Sequence, residues 1–182
     1  MKFITTTLIG LTILSLSSCK KISEALQTNV SSSPKVVNFE IPILAQSSSE
    51  ITYKEVAVKI NMDSLVKVVA PSFGASNIKS IKLKSFKVEF SEGDNANNFA
   101  NFESIKGRIM ADGQPGLDIV SIANNPDVTS SALIFPISEG LELKDYLSGG
   151  SFRYVLKGKV RRATTKVLKA QAYVVYDFTL GM

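Results

Sequence analysis

The chain holds a single thiol, Cys19, and neither histidine nor tryptophan. Without an imidazole to take a proton near neutral pH, no Ser-His-Asp or Cys-His nucleophile can assemble. Zinc sites built on His and Cys are excluded for the same reason. No GxxxxGK[ST] phosphate loop is present. Carboxylates remain, but a glycosidase needs two of them about 5–5.5 or 6.5–9.5 Å apart, and no Asp/Glu pair stands in a conspicuous motif. No catalytic residue, no metal ligand and no cofactor is therefore assigned from the sequence.

What Cys19 can do is set by what precedes it. Met1-Lys2-Phe3 places one positive charge at the start, and an apolar run with a few threonines follows to Leu16. This is the charged and apolar pattern of an export signal. The run is shorter than the roughly 20 apolar residues that a permanent span requires, and Ser17-Ser18-Cys19-Lys20-Lys21 closes it. Leu16-Ser17-Ser18-Cys19 resembles the lipobox of bacterial lipoproteins: an aliphatic residue, two small residues and an obligatory cysteine. The small residues let the scissile bond enter a membrane-embedded peptidase, and the thiol accepts a diacylglycerol before the cut. The resemblance implies cleavage between Ser18 and Cys19, lipidation at Cys19 and membrane lipid as a partner. A lone cysteine can form no intramolecular disulfide and would be a liability in an oxidising compartment. Acylation removes it. Lys20, rather than Asp, after the cysteine fits delivery to an outer membrane under sorting rules like those of enteric bacteria. Lys20-Lys21-Ile22-Ser23-Glu24 departs from the acidic run that some bacteria use for surface display, which leaves the face of the membrane open.

Three further groups of side chains invite a chemical reading. The C-terminal basic segment carries Lys157, Lys159, Arg161, Arg162, Lys166 and Lys169. Positions 157, 159 and 161 share parity and so line one face of a strand. Such a row suits an anionic ligand, a lipid headgroup or an acidic glycan. The plainer reading, a row that protects a sheet edge and keeps it soluble, is preferred. The loop 92–98 has the side-chain oxygens calcium takes. It lacks the D-x-[DN]-x-[DN]-G order and a terminal bidentate acid, and is expected to be solvated. Tyr146 sits in the apolar frame Leu143-Lys144-Asp145-Tyr146-Leu147 and is expected in the core with its hydroxyl hydrogen-bonded.

The elements that must position these groups follow from hydrophobic period. Residues 19–35 are polar, Ser-rich and closed by Pro34, and read as an acylated N-terminus with a flexible tether. From residue 36 to 182 the pattern alternates, as one domain. Val37, Phe39, Ile41 and Ile43 share a face, and Ile51–Ile60 changes parity near Lys54-Glu55, which signals a bulge. Asn61 or Asp63 can cap a short helix with Leu65, Val66, Val68 and Val69. Ile78–Phe90 also changes phase, with Lys79, Lys82, Lys84 and Lys87 interleaved. Leu168, Ala170, Ala172, Val174, Tyr176, Phe178 and Leu180 all fall on one face of the last strand. Positions 157–169 read as a C-terminal hairpin.

These signals predict an all-β fold: an antiparallel β-sandwich of about eight strands with one or two short helices. Its texture is similar to immunoglobulin-like sandwiches, though without their Cys-Trp-Cys core. Of the 182 residues, 164 remain once positions 1–18 are removed, enough for one domain and a tether. Lys2 leaves with the signal, so a net charge of +5 becomes +4, which permits anionic partners without demanding them. Nucleic acid is a poor partner for an exported chain. The expected function is a membrane-anchored, non-catalytic binding or structural module, whose partners are membrane lipid and an envelope protein or anionic glycan. The rivals are a carrier of a lipophilic ligand and a carboxylate-based hydrolase.

Overall fold

A computed structural model describes residues 27–138 and 140–182. The signal, Ser18 and Cys19 lie outside the described residues. Among the described residues there are nine strands: β1 (Gln27–Ser31), β2 (Lys35–Ile41), β3 (Ser47–Lys59), β4 (Ile78–Phe90), β5 (Phe102–Met110), β6 (Leu117–Ile122), β7 (Ala132–Ile134), β8 (Ser151–Val160) and β9 (Leu168–Gly181). Two short helices, α1 (Met62–Val69) and α2 (Lys144–Leu147), lie between strands. The all-β sandwich expected from the alternation is what forms.

The period-two pattern decides which side of each strand is dry. In β9 the seven residues from Leu168 to Leu180 named above are all buried, and Phe178 has no exposed surface. In β4 the inward set is Ile78, Ile81 and Leu83, then Phe86, Val88 and Phe90. The pairing with β9 slips between Leu83 and Ser85, so one extra residue switches the parity and keeps both halves facing the core. In β3 the slip lies between Thr52 and Lys54, and it turns Tyr53 inward, only 3% exposed. Asn61 caps α1 by accepting a hydrogen bond from the Ser64 N–H at 2.9 Å. The helix buries Met62 and Val66, while Val68 faces solvent.

Strand order defines the topology. One sheet runs β1-β9-β4-β7, with β2 also on β9; the other runs β3-β8-β5-β6. Four antiparallel pairs are nested: β2 with β9, β3 with β8, β4 with β7, and β5 with β6. The contacts β4–β9 and β5–β8 then close the two sheets. This is a long hairpin wrapped on itself, the jelly-roll arrangement of two facing sheets. It is not the ABED/CFG order of the immunoglobulin sandwich. Consequently β8 and β9 do not form a hairpin. They belong to opposite sheets, and residues 161–167 cross between them. Alternation looks the same on either side of a hairpin and of a crossover, which is why the sequence suggests the former.

The tether assigned to 19–35 is shorter than expected, because residues 27–31 are strand β1 on the end of β9, from Gln27 opposite Gly181 to Ser31 opposite Asp177. Ser32 is buried; its N–H donates to the Tyr176 carbonyl at 2.8 Å and its Oγ accepts from the Tyr176 N–H at 3.0 Å. A polar, Ser-rich segment can make an edge strand when a neighbour offers unpaired backbone groups. A chain beginning at Lys35 should therefore melt lower than one beginning at Gln27. Two buried hydrogen bonds and five paired residues are worth on the order of 2 kcal/mol, or roughly 4–8 °C in a domain this size. Equal melting temperatures in a calorimetric comparison would show that β1 adds nothing.

Candidate functional site

The basic residues expected to form one patch are placed at the β8–β9 corner, and each of them meets an acid. Lys157 reaches Glu50 Oε1 at 2.8 Å, and Lys106 takes Oε2 of the same carboxylate at 2.9 Å. Hydrogen bonds from the two ammonium groups, Lys157 first, hold the Glu50 carboxyl down at about 2. Lys159 lies 3.6 Å from Glu103, Lys166 2.7 Å from Asp94, and Lys169 2.8 Å from Glu92. The Lys166 ammonium, with the Asn97 side chain, also holds Asp94 at about 2. Arg162 grips Asp127 through two nitrogens at 2.8 and 2.5 Å, a fork geometry that lysine could not supply.

Arg161 has a different task. Its Nη1 donates to the Ala100 carbonyl at 2.9 Å and its Nη2 to the Asn125 carbonyl at 2.6 Å. Asn125 is buried, and its amide donates to the carbonyls of Phe99 and Phe102 at 2.7 and 3.0 Å. Asn101, also buried, donates to Ala96 and Ala163 at 2.9 and 3.1 Å. The corner is thus pinned to the segment 91–103 by backbone-directed hydrogen bonds. The loop 92–98 is correspondingly not solvated throughout: Asn97 and Asn98 are each 2% exposed. Their oxygens accept from Thr165 N at 2.8 Å and Ala100 N at 2.9 Å. No group of three metal-ligating side chains exists among the described residues. Tyr146 is buried and donates to the Pro115 carbonyl at 2.8 Å, as its apolar frame suggests.

A second group of cations lies on the outer face of β4, where the interleaved lysines point away from the core. Lys87 closes onto Glu89 and sits 5.4 Å over the Tyr173 ring. Lys84 donates to Ser31 Oγ at 2.6 Å and lies 3.4 Å from Asp177; Ser31 in turn donates to Asp177 at 2.5 Å. Lys82 stands opposite Asp177 in the β4–β9 register. With Asn29 and Thr179 these residues line an open groove of about 460 Å³. The stem of Lys79 passes over Gly181, beside Gln27. Unlike the corner residues, Lys79 and Lys82 have no acidic side chain within 4.0 Å among the described residues.

A serine hydrogen-bonded to a lysine is a catalytic pair on other folds. Here Lys84 and Asp177 are 51% and 45% exposed. Such a wet face lacks the water-excluded surroundings in which fixed dipoles stabilise a transition state. The arrangement is suited to holding polar or anionic groups at a surface. The sequence displays these lysines but not their partners, since Ser31 falls in a segment whose composition is that of a tether.

No family profile matches the chain, and no curated protein matches it. Among solved structures, the chain is similar to the empty head of turnip yellow mosaic virus. Identity is 12%, with 100% of this chain and 92% of that chain covered and a TM-score of 0.29. It is also similar to infectious bursal disease virus, Gt strain, at 12% identity and TM-score 0.34. There it covers 85% of this chain but only 33% of that one. Desmodium yellow mottle tymovirus matches at 11% identity over 82% and 89% of the two chains, with a TM-score of 0.26.

Proposed function

We propose that this chain is a membrane-anchored lipoprotein of the cell envelope, sited at an outer membrane, whose jelly-roll domain is a non-catalytic binding or structural module. The observation that carries the reading is the ordered motif Leu16-Ser17-Ser18-Cys19 behind a charged and apolar start. Two features of the domain favour a module over its rivals. The gap between the sheets bordered by Tyr53, Phe90, Phe99 and Phe102 has about 10 Å³ of free space. That is room for about one water, whereas a ligand pocket takes roughly 300–1,000 Å³. A lipophilic cargo in that gap would have to unpack the core around it. Four carboxylates that lie beside cations lean the wrong way for a general acid, which needs its pKa raised. Cations beside Glu50, Asp94, Asp118 and Asp127 hold their carboxyls below the usual range.

Cys19→Ala in the full chain tests the anchor. With a fatty-acid analogue supplied during growth, the parent should take up label and the variant should stay as unlabelled, uncleaved precursor. Equal labelling of both proteins would refute the assignment.

A further inference from the structure

We infer that the Lys79-Lys82-Lys84 strip on the outer face of β4 rests on an anionic phospholipid surface and sets the orientation of the domain on its membrane. The inference depends on the anchor proposed at Cys19. Seven residues separate Cys19 from Gln27, so the eight steps between them span at most about 29 Å when fully extended. A folded domain of this size is nearly 40 Å across, taking twice a radius of gyration of about 15 Å and adding side chains. The tether therefore keeps Gln27 within about 29 Å of the headgroups, less than the width of the domain.

The strip begins at that place. Gln27 pairs with Gly181, and the Lys79 stem lies over the same glycine. Lys82 and Lys84 follow along β4, next to Asn29 and Ser31 of β1. Among the described residues, the acids beside the strip are Asp177, engaged by Lys84 and Ser31, and Glu142 at the strand's edge. The Glu142 carboxylate is occupied by Ser80 Oγ at 2.5 Å and the Ile81 N–H at 2.8 Å. Among the described residues, Lys79 and Lys82 have no acidic side chain within 4.0 Å, and an anionic leaflet would supply their counter-charge. The neutralised basic corner, by contrast, lies at the opposite end of β9. Lys169 and Gly181 are twelve residues apart on one strand, or roughly 40 Å at 3.3 Å per residue. Lys157 and Lys159 stand on β8 of the other sheet, so a domain resting on the outer face of β4 holds them on its far side.

The test uses the full-length protein from its native membrane, with its acylation read by intact mass. It is placed in vesicles of phosphatidylcholine alone or with phosphatidylglycerol, and its lysines are modified by an amine-reactive reagent and quantified by peptide mass spectrometry. In low salt, Lys79, Lys82 and Lys84 should react at least roughly fivefold more slowly on anionic than on neutral vesicles, the factor one lysine's attraction to an anionic leaflet supplies. Lys157 and Lys159, which stand on β8 of the opposite sheet, should react equally on both. Salt at 1 M, where screening acts over about 3 Å, should abolish the difference. The double variant Lys79→Gln, Lys82→Gln should stay with the vesicles but lose the protection of Lys84. An acylated protein whose β4 lysines react equally on both vesicles overturns the docking surface and leaves the anchor standing. A protein carrying no acyl group overturns both.

Discussion

Gly158→Ala should remove a large part of the domain's stability. Gly158 lies near the end of β8, opposite Ile51 of β3 and Ile105 of β5. A Cβ there would stand 2.0 Å from the Ser104 carbonyl oxygen and 2.6 Å from the Tyr53 hydroxyl. Both distances are inside van der Waals contact, and one of the atoms is backbone, which cannot swing aside. The residue also has φ of +157°, a conformation that side chains rarely adopt. To admit the methyl, β5 would have to separate from β8, or Tyr53 would have to leave. Its hydroxyl lies 2.8 Å from the Ser104 carbonyl and 2.9 Å from that of Lys159, and shares its proton between them. The expected cost is about 4 kcal/mol or more, in the range reserved for overpacking combined with backbone strain. That is a large part of the roughly 5–15 kcal/mol that holds a domain together. Gly149→Ala is the control, since nothing lies within 4 Å of a Cβ there. Denaturant midpoints should collapse for the first variant and barely move for the second. A Gly158→Ala protein as stable as the parent would show that β5 and β8 do not approach as described.

The second large loss is expected from Phe178→Ala. Phe178 has no exposed surface, pairs in register with Val30 on one side and Ile81 on the other, and has the Tyr176 ring centroid at 6.5 Å. Removing a packed phenylalanine costs roughly 3–5 kcal/mol, because lost transfer free energy adds to a cavity that neighbours fill only in part. Here collapse is resisted on every side, since β9 is flanked by β1, β2 and β4. Val175→Ala, on the outer face of the same strand, should cost much less. A measured loss below about 1 kcal/mol at Phe178 would place the residue on the wrong side of the sheet.

The burial of Phe178 is legible in the sequence, and the reason is physical. A strand's two faces alternate, so seven apolar residues at alternate positions from 168 to 180 can all be buried only on one side. The phase change in β4 is legible for the same reason: Leu83 and Phe86 cannot both face inward without an extra residue between them. The Asn61 cap needs only its own first turn. Where the local pattern is ambiguous, the sequence misleads. Ile43 matches the parity of β2, but the strand ends at Ile41 before Pro42; Ile43 is 60% exposed and Leu44 is buried instead. β1 has no apolar alternation of its own and exists because the end of β9 offers a partner.

Sequence alone thus determined properties that each residue shares with its close neighbours: the face it presents, the caps and bulges, the lipobox resemblance and the chemistries closed by the absence of histidine. Tertiary structure decided which strand lies beside which, and therefore which charges meet. Lys157 is answered by Glu50, 107 positions away, and Ser31 by Asp177, 146 positions away. A jelly roll pairs segments from the two ends of the chain inward, and a period-two pattern contains no record of the partner. Six basic residues near the C-terminus therefore look like a free cationic surface and prove to be neutralised, while the lysines of β4, equally plain in the sequence, include two left without a counter-charge among the described residues.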